Sequence, residues 1–122
     1  MTDRKEKLQE LLDAVKAGMD GPRHHRDAFP NESVGHRRAW YVSQEVSSGS
    51  LDAALALHKV LMPGWTVANL GQDMADGSGE WAAWITSPNY LEDCTSSFEK
   101  NPIAARAWLC AILQAMINEA TT

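Results

Sequence analysis

The sequence has few of the features on which secreted, membrane-bound or disulfide-stabilised proteins depend. Two cysteines, Cys94 and Cys110, are present among 122 residues, too few for a disulfide framework. No apolar run approaches the roughly 20 residues of a membrane-spanning helix, and the first residues lack the apolar core of a secretion signal. We therefore expect a cytoplasmic protein without a membrane partner, in which both cysteines are free thiols.

The common motifs for metals, phosphates and nucleophiles are also missing. The sequence has no CxxC pair, no HExxH and no glycine-rich loop ending in Gly-Lys-Ser or Gly-Lys-Thr. The acidic stretch at residues 73–80 does not place oxygen ligands at the positions of a calcium loop, so we interpret it as a hairpin turn. We accordingly predict no cofactor, no metal site and no catalytic residues, and we do not expect an enzyme.

The histidines do not form a ligand set either. His24 and His25 are adjacent, so their side chains diverge, and His36 lies in the same irregular segment. We interpret these three as solvated loop histidines. His58 lies on an apolar helical stripe, which favours a core or interface histidine with a hydrogen bond over a catalytic one.

Positive charge is scarce, and the net charge is −5. An acidic protein is not drawn to phosphate backbones by its overall field, so we do not expect nucleic acid as a partner. Arginines and aromatic residues are nevertheless interleaved in one segment, an arrangement that can bind single strands. Asp20, Asp27 and Glu32 offset most of that local charge. The candidate interaction surface consists of Arg23, Arg26, Arg37, Arg38, Trp40 and Tyr41.

Three segments show the apolar periodicity of helices. The first covers residues 3–17 and has one narrow stripe, typical of a helix at the surface. The second follows Ser50, which is predicted to cap it, and ends at Pro63. The third begins after Asn101 and extends to about Glu119. The second and third helices are apolar on most of their circumference, so we expect each to be covered on most sides.

The strands and connections are predicted from alternation and turn residues. Residues 65–70 and 80–86 form a hairpin whose strands are apolar on both faces, typical of a sheet covered on both sides. Residues 20–45 contain two prolines and two glycines and are assigned to an irregular connection. At its end, residues 39–46 are predicted to form a short strand or, alternatively, a short helix. Residues 87–101 are interpreted as a second polar connection.

Apolar helices and two-faced strands together predict a mixed α/β fold. The simplest arrangement is a small three-layer α/β/α sandwich with a short central sheet. Residues 1–122 then form a single domain, with an N-terminal helix in residues 1–19, the connection at 20–45 and the sandwich core at 46–119. The alternative is a two-layer fold that buries its leftover apolar helix surface in a homodimer.

Three stretches, SGSLDAALALHKVLMPGW, EWAAWI and NPIAARAWLCAILQAMI, resemble the phage ABA-sandwich domain. This family comprises small proteins encoded by bacteriophages and prophages. The matching positions include Ser50–Leu55, Pro63–Trp65 and Asn101–Leu113, and the resemblance covers about residues 46–119. It implies a three-layer fold and a phage or prophage origin, hence the cytoplasm of a bacterial host. It implies no activity and assigns no functional residue.

The expected function follows from apolar helices without a catalytic cluster. This combination favours a non-catalytic accessory protein that binds a host or phage protein. Three alternatives stay open. They are a nucleic-acid-binding module using residues 23–41, a minor structural component of the virion, and a small enzyme using His36 or His58.

Overall fold

The structure is a computed structural model and describes residues 4–72, 74–75 and 77–121. Its helices are α1 Arg4–Ala17, α2 Pro22–Ala28, α3 Ala39–Ser47, α4 Leu51–Leu61, α5 Tyr90–Asp93 and α6 Ala104–Thr121. Its strands are β1 Ser33–Val34, β2 Arg37–Arg38, β3 Thr66–Gln72, β4 Trp81–Thr86 and β5 Ser96–Asn101. The predicted mixed α/β class is confirmed.

The N-terminal helix is present as predicted. α1 packs along α6, and its apolar stripe, made of Leu8, Leu11, Leu12 and Val15, is buried. Gly18 ends it with a φ of 71°, a left-handed conformation that costs a glycine little. The opposite side of α1 is exposed, so the helix lies at the surface, as its narrow stripe predicts.

The larger sheet is antiparallel, with strand order β3-β4-β5. β3 and β4 form the predicted hairpin, in which Gln72 pairs with Trp81. β5 lies in the segment interpreted as a polar connection, so that interpretation is wrong for residues 96–101. The strand was not predicted because most of its residues are polar. One of them, Ser97, is nevertheless buried, and its hydroxyl donates a hydrogen bond to the Ala111 carbonyl at 2.8 Å.

α6 lies at the centre of the molecule, with the sheet on one side and α1, α3 and α4 on the other. Residues 107–113 are all buried, so the prediction of a helix covered on most sides is confirmed for α6. The layers are nevertheless ordered differently from the expected sandwich, because a helix and not the sheet is the middle layer. The apolar residues around α6 allow it to pack against neighbours on both sides.

α4 begins as predicted, because the Ser50 hydroxyl accepts a hydrogen bond from the amide of Ala53 at 3.1 Å. One side of the helix packs against α3 and α6. The other side is not covered by the described chain: Leu51, Leu55 and Val60 are 46%, 43% and 43% exposed. The prediction that this helix is covered on most sides is therefore wrong for the single chain.

The segment interpreted as an irregular connection, residues 20–45, is mostly regular. Pro22 opens α2, where the fixed φ of proline suits the first turn. Gly35, with a φ of 65°, forms the turn of a small β1–β2 hairpin. The prediction failed because these elements are too short to show a period and depend on turn residues.

The segment at residues 39–46 forms α3, so the strand prediction is wrong and the short-helix alternative is confirmed. Val42 and Val46 lie one helical turn apart and are both buried. Ala39 and Ser43 share this buried side. Spacing of three and four residues, rather than two, therefore describes the apolar side of this segment.

Candidate interaction surface

Two arginines and two aromatic rings meet at the surface formed by α2, β2 and α3. The guanidinium carbon of Arg26 lies 4.8 Å from the Trp40 ring centroid, and that of Arg37 lies 5.1 Å from the Tyr41 ring centroid. The two rings meet edge to face, with centroids 6.0 Å apart. We call these four residues the arginine–aromatic surface.

The β1–β2 hairpin positions one half of this surface. Antiparallel pairing of Val34 with Arg37 brings the chain back to the start of α3, where the amide of Ala39 donates to the Glu32 carbonyl at 3.0 Å. Trp40 packs partly against the core, whereas Tyr41 is 50% exposed. One ring therefore anchors the surface and the other projects from it.

The ion pairs at this surface differ from those that the sequence suggested. Arg37 forms an ion pair with Glu45, a residue outside the predicted set. Glu32, expected to offset the arginines, pairs instead with Arg4. Within the described chain, the exposed Arg23 and Arg38 have no ion-pair partner. The structure thus joins four of the six predicted residues in direct contacts and leaves two exposed arginines in α2 and β2.

A buried polar network lies on the inner side of α2 and α3. The Asp20 carboxylate lies 2.7 Å from Nε2 of His25, and Nδ1 of His25 lies 2.7 Å from the Ser43 hydroxyl. Ser47 donates a second hydrogen bond to the same Asp20 oxygen. His25 is 1% exposed, so its interpretation as a solvated loop histidine is wrong. The partners are distant in sequence, and no local motif indicates their contact.

In this network, burial and the interactions of Asp20 with its hydrogen-bond partners have opposite effects on the pKa values of His25 and Asp20. Burial lowers the pKa of His25 below 6.5, outweighing the Asp20 carboxylate, which raises it. For Asp20, burial raises the pKa, but hydrogen bonds from Ser47 and His25 outweigh it, so that the pKa lies below 3.8. A neutral His25 therefore donates its Nε2–H to an ionised Asp20, and its Nδ1 and the Trp40 carbonyl are both acceptors for the single hydroxyl proton of Ser43.

The order carboxylate, imidazole and hydroxyl is that of a serine-hydrolase triad, but Ser43 cannot act as a nucleophile here. Its side chain is 0% exposed, and its hydroxyl also contacts the Trp40 carbonyl at 2.9 Å. A polar cavity of about 150 Å³ reaches Asp20 and Ser47. Arg106 closes one side of it, donating from Nε to the Ser47 carbonyl at 2.6 Å. The hydrogen bond between His25 and Ser43 connects α2 to α3, and the hydrogen bond between Arg106 and Ser47 connects α6 to α3.

His58 is a core histidine, as its apolar stripe predicts, and it makes two hydrogen bonds where one was expected. Nε2 lies 2.9 Å from the Trp65 carbonyl, and Nδ1 accepts a hydrogen bond from Nε1 of Trp108 at 3.1 Å. The Trp108 indole can only donate, so Nδ1 is unprotonated and Nε2 donates to Trp65. His36, in contrast, is exposed in the β1–β2 turn.

Both cysteines are free thiols, as predicted: Cys94 is exposed and Cys110 is buried. Burial, aided by the Glu99 carboxylate, raises the pKa of Cys110 to about 12, which keeps this thiol protonated and unreactive. The described residues contain no group of three or more His, Cys, Asp or Glu side chains able to hold a metal ion.

Two further findings concern relatives and membranes. Comparisons with protein-family models, with curated proteins and with solved structures give no match. Among the described helices, none has both the length and the hydrophobicity needed to cross a bilayer.

Proposed function

We propose that the chain is a non-catalytic accessory protein of phage or prophage origin that binds a host or phage protein through the arginine–aromatic surface. The supporting observation is the stacking of Arg26 on Trp40 and of Arg37 on Tyr41. Trp, Tyr and Arg are the side chains that contribute most to protein–protein binding. Because the rings already position the guanidinium groups, less conformational entropy is lost when a partner binds.

The surface also indicates the chemistry of the partner. Arg23 and Arg38 are exposed; Arg23 lies one helical turn before Arg26 and Arg38 directly follows Arg37 in the sequence, and both can bind carboxylates of a partner. Tyr41 presents half of its side chain to solvent, which suits a shallow apolar pocket or a flat apolar side chain. We therefore propose a protein partner that combines acidic residues with an apolar contact.

Protein is favoured over nucleic acid because a carboxylate lies directly beside the arginine–aromatic surface. Glu45 is paired with Arg37, and a nucleic-acid backbone would bring phosphates close to this carboxylate. The net charge of −5 also opposes approach of a polyanion. A small enzyme has less support, because Ser43 is inaccessible and His58 is held by two hydrogen bonds.

Capture from a host lysate, with and without phage proteins, tests the proposal. The full chain serves as bait and is compared with an Arg26→Ala/Tyr41→Ala double variant. The matched control is Phe98→Ala, which removes a 54% exposed aromatic from the three-stranded sheet. We expect the wild type and the control to retain the same protein and the double variant to lose it. Absence of any partner, or equal recovery by all three baits, would contradict the proposal.

A second measurement distinguishes nucleic acid from protein. Fluorescence anisotropy of a labelled single-stranded oligonucleotide is followed at low and at moderate salt, since phosphate contacts weaken steeply with salt. We expect no binding in either condition. Binding at low salt that the double variant abolishes would assign this surface to nucleic acid instead.

A further inference from the structure

The exposed side of α4 has a symmetric arrangement of apolar and charged residues. The residues on this side are Leu51, Asp52, Leu55, Ala56, Lys59 and Val60, which we call the α4 face. They recur at helical spacing, so they share one side of the helix. Its three larger apolar side chains are between 43% and 46% exposed, although the opposite side of α4 is buried.

From this face we infer that the chain forms a homodimer in which α4 packs antiparallel against α4 of a second copy, about a two-fold axis. A two-fold interface must be complementary to itself. On α4, Asp52 and Lys59 are equally far from the midpoint between Leu55 and Ala56. With the axis at that midpoint, Asp52 of each copy lies opposite Lys59 of the other. Leu55 then lies opposite Ala56 of the second copy, and Leu51 lies opposite Val60.

The charges favour a second copy over another occupant. Within the described chain, neither Asp52 nor Lys59 has an ion-pair partner, so both are available to another molecule. The α4 face carries one acid and one base, and a partner of one charge sign would meet repulsion from one of them. An antiparallel second copy meets both with opposite charges and covers the apolar residues between them.

This inference does not depend on the proposed function, because the α4 face and the arginine–aromatic surface share no residue. α4 packs against α3, so a dimer through α4 would hold two arginine–aromatic surfaces in one particle. Two sites in one particle raise the avidity for a partner that presents two binding sites of its own.

Sedimentation equilibrium of the full chain over a wide concentration range tests the dimer. We expect a species of twice the 13.4 kDa chain mass for the wild type. Leu55→Asp places one carboxylate of each copy next to the axis, where the two repel each other, and should weaken dimerisation at least about a hundredfold. Phe98→Asp, on the sheet, is the control and should stay dimeric. Circular dichroism verifies that each variant is folded.

A charge exchange tests the antiparallel register independently of Leu55. Asp52→Lys and Lys59→Asp each create two like-charge contacts, and each should weaken the dimer about tenfold. The double variant Asp52→Lys/Lys59→Asp restores opposite charges and should recover the wild-type dissociation constant within about threefold. Two results would overturn the inference: a wild type that stays monomeric throughout, or a dimer that Phe98→Asp dissociates and Leu55→Asp does not. A double variant no tighter than its single parents would equally overturn it.

Discussion

At the scale of single residues, two buried histidines perform different structural tasks. His58 joins α4 to the Trp65 carbonyl and to Trp108 in α6. His25 lies between an ionised carboxylate and a hydroxyl. The apolar stripe of α4 predicted the first environment, whereas the second depends on residues brought together only by the fold.

Replacing His58 by leucine should strongly destabilise the protein. The change leaves the Trp108 indole N–H and the Trp65 carbonyl without their partner in a buried site, and each such group costs about 1–3 kcal/mol. We expect the free energy of unfolding, measured by urea denaturation, to fall by about 2–4 kcal/mol. His36→Leu, in an exposed turn, should change it by less than about 0.5 kcal/mol. Equal losses for the two variants would refute the proposed hydrogen-bonding role.

His25 should make stability depend on pH. Because its folded-state pKa lies below 6.5, the unfolded chain binds this proton more readily. The free energy of unfolding should therefore decrease as the pH falls through 6.5 toward the folded-state pKa. Asp20 contributes stability above 3.8, which is lost only as the pH falls further, through its own lowered pKa.

Urea denaturation at a series of pH values measures this dependence. His25→Gln keeps one donor and one acceptor but does not titrate in this range. We expect this variant to lose less stability than the wild type between neutral pH and the upper limit of the Asp20 transition. Parallel curves for the two proteins would show that His25 does not cause the effect.

At the scale of elements, the sequence predicted the helices and strands that are long or have a clear apolar period. α1, α4, α6 and the β3–β4 hairpin span two turns or more, or alternate over a whole strand, and the sequence predicted all of them. α2, the β1–β2 hairpin and β5 are short or polar. Ser97 illustrates the difficulty: it is polar, yet it faces α6 because the Ala111 carbonyl accepts its hydroxyl proton.

Two glycines allow the cost of backbone strain to be separated from the cost of a clash. Gly64, after α4, has a φ of 84°, and a Cβ there would lie 3.0 Å from Cγ of Pro88. Gly35 has a φ of 65° and no atom near such a Cβ. Gly35→Ala should cost about 1–2 kcal/mol of strain, and Gly64→Ala roughly 1 kcal/mol more. Thermal denaturation of both variants compares these costs, and an equal loss of stability would contradict the close contact.

At the scale of the whole molecule, composition and pattern indicated the mixed α/β class but not the order of the layers. α6 and α4 are both apolar around most of their circumference, and sequence alone could not show which one is enclosed. The structure encloses α6 and leaves Leu55 and its neighbours on α4 exposed. Interleaved arginines and aromatic residues in the sequence suggested a candidate interaction surface that includes these four residues, but the sequence did not indicate the pairing of Glu45 with Arg37.

The proposed functions of the molecule therefore depend on two surfaces rather than on a cavity. One is the arginine–aromatic surface, proposed to bind another protein, and the other is the α4 face, proposed to bind a second copy. The polar cavity beside Asp20 is small, about 150 Å³, and three of its lining side chains, Asp20, His25 and Ser47, are already hydrogen-bonded to one another.

The effect of Tyr41→Ala on the dissociation constant of the partner decides whether the arginine–aromatic surface is the binding site. Isothermal titration of the captured partner with wild type, Tyr41→Ala and Phe98→Ala compares a ring of this surface with a ring elsewhere. Tyr41→Ala should weaken binding about thirtyfold or more, as for a central interface tyrosine, and Phe98→Ala should change it less than about twofold. Unchanged affinity for Tyr41→Ala, with a large loss for Phe98→Ala, would place the binding site on the sheet and contradict the proposed function.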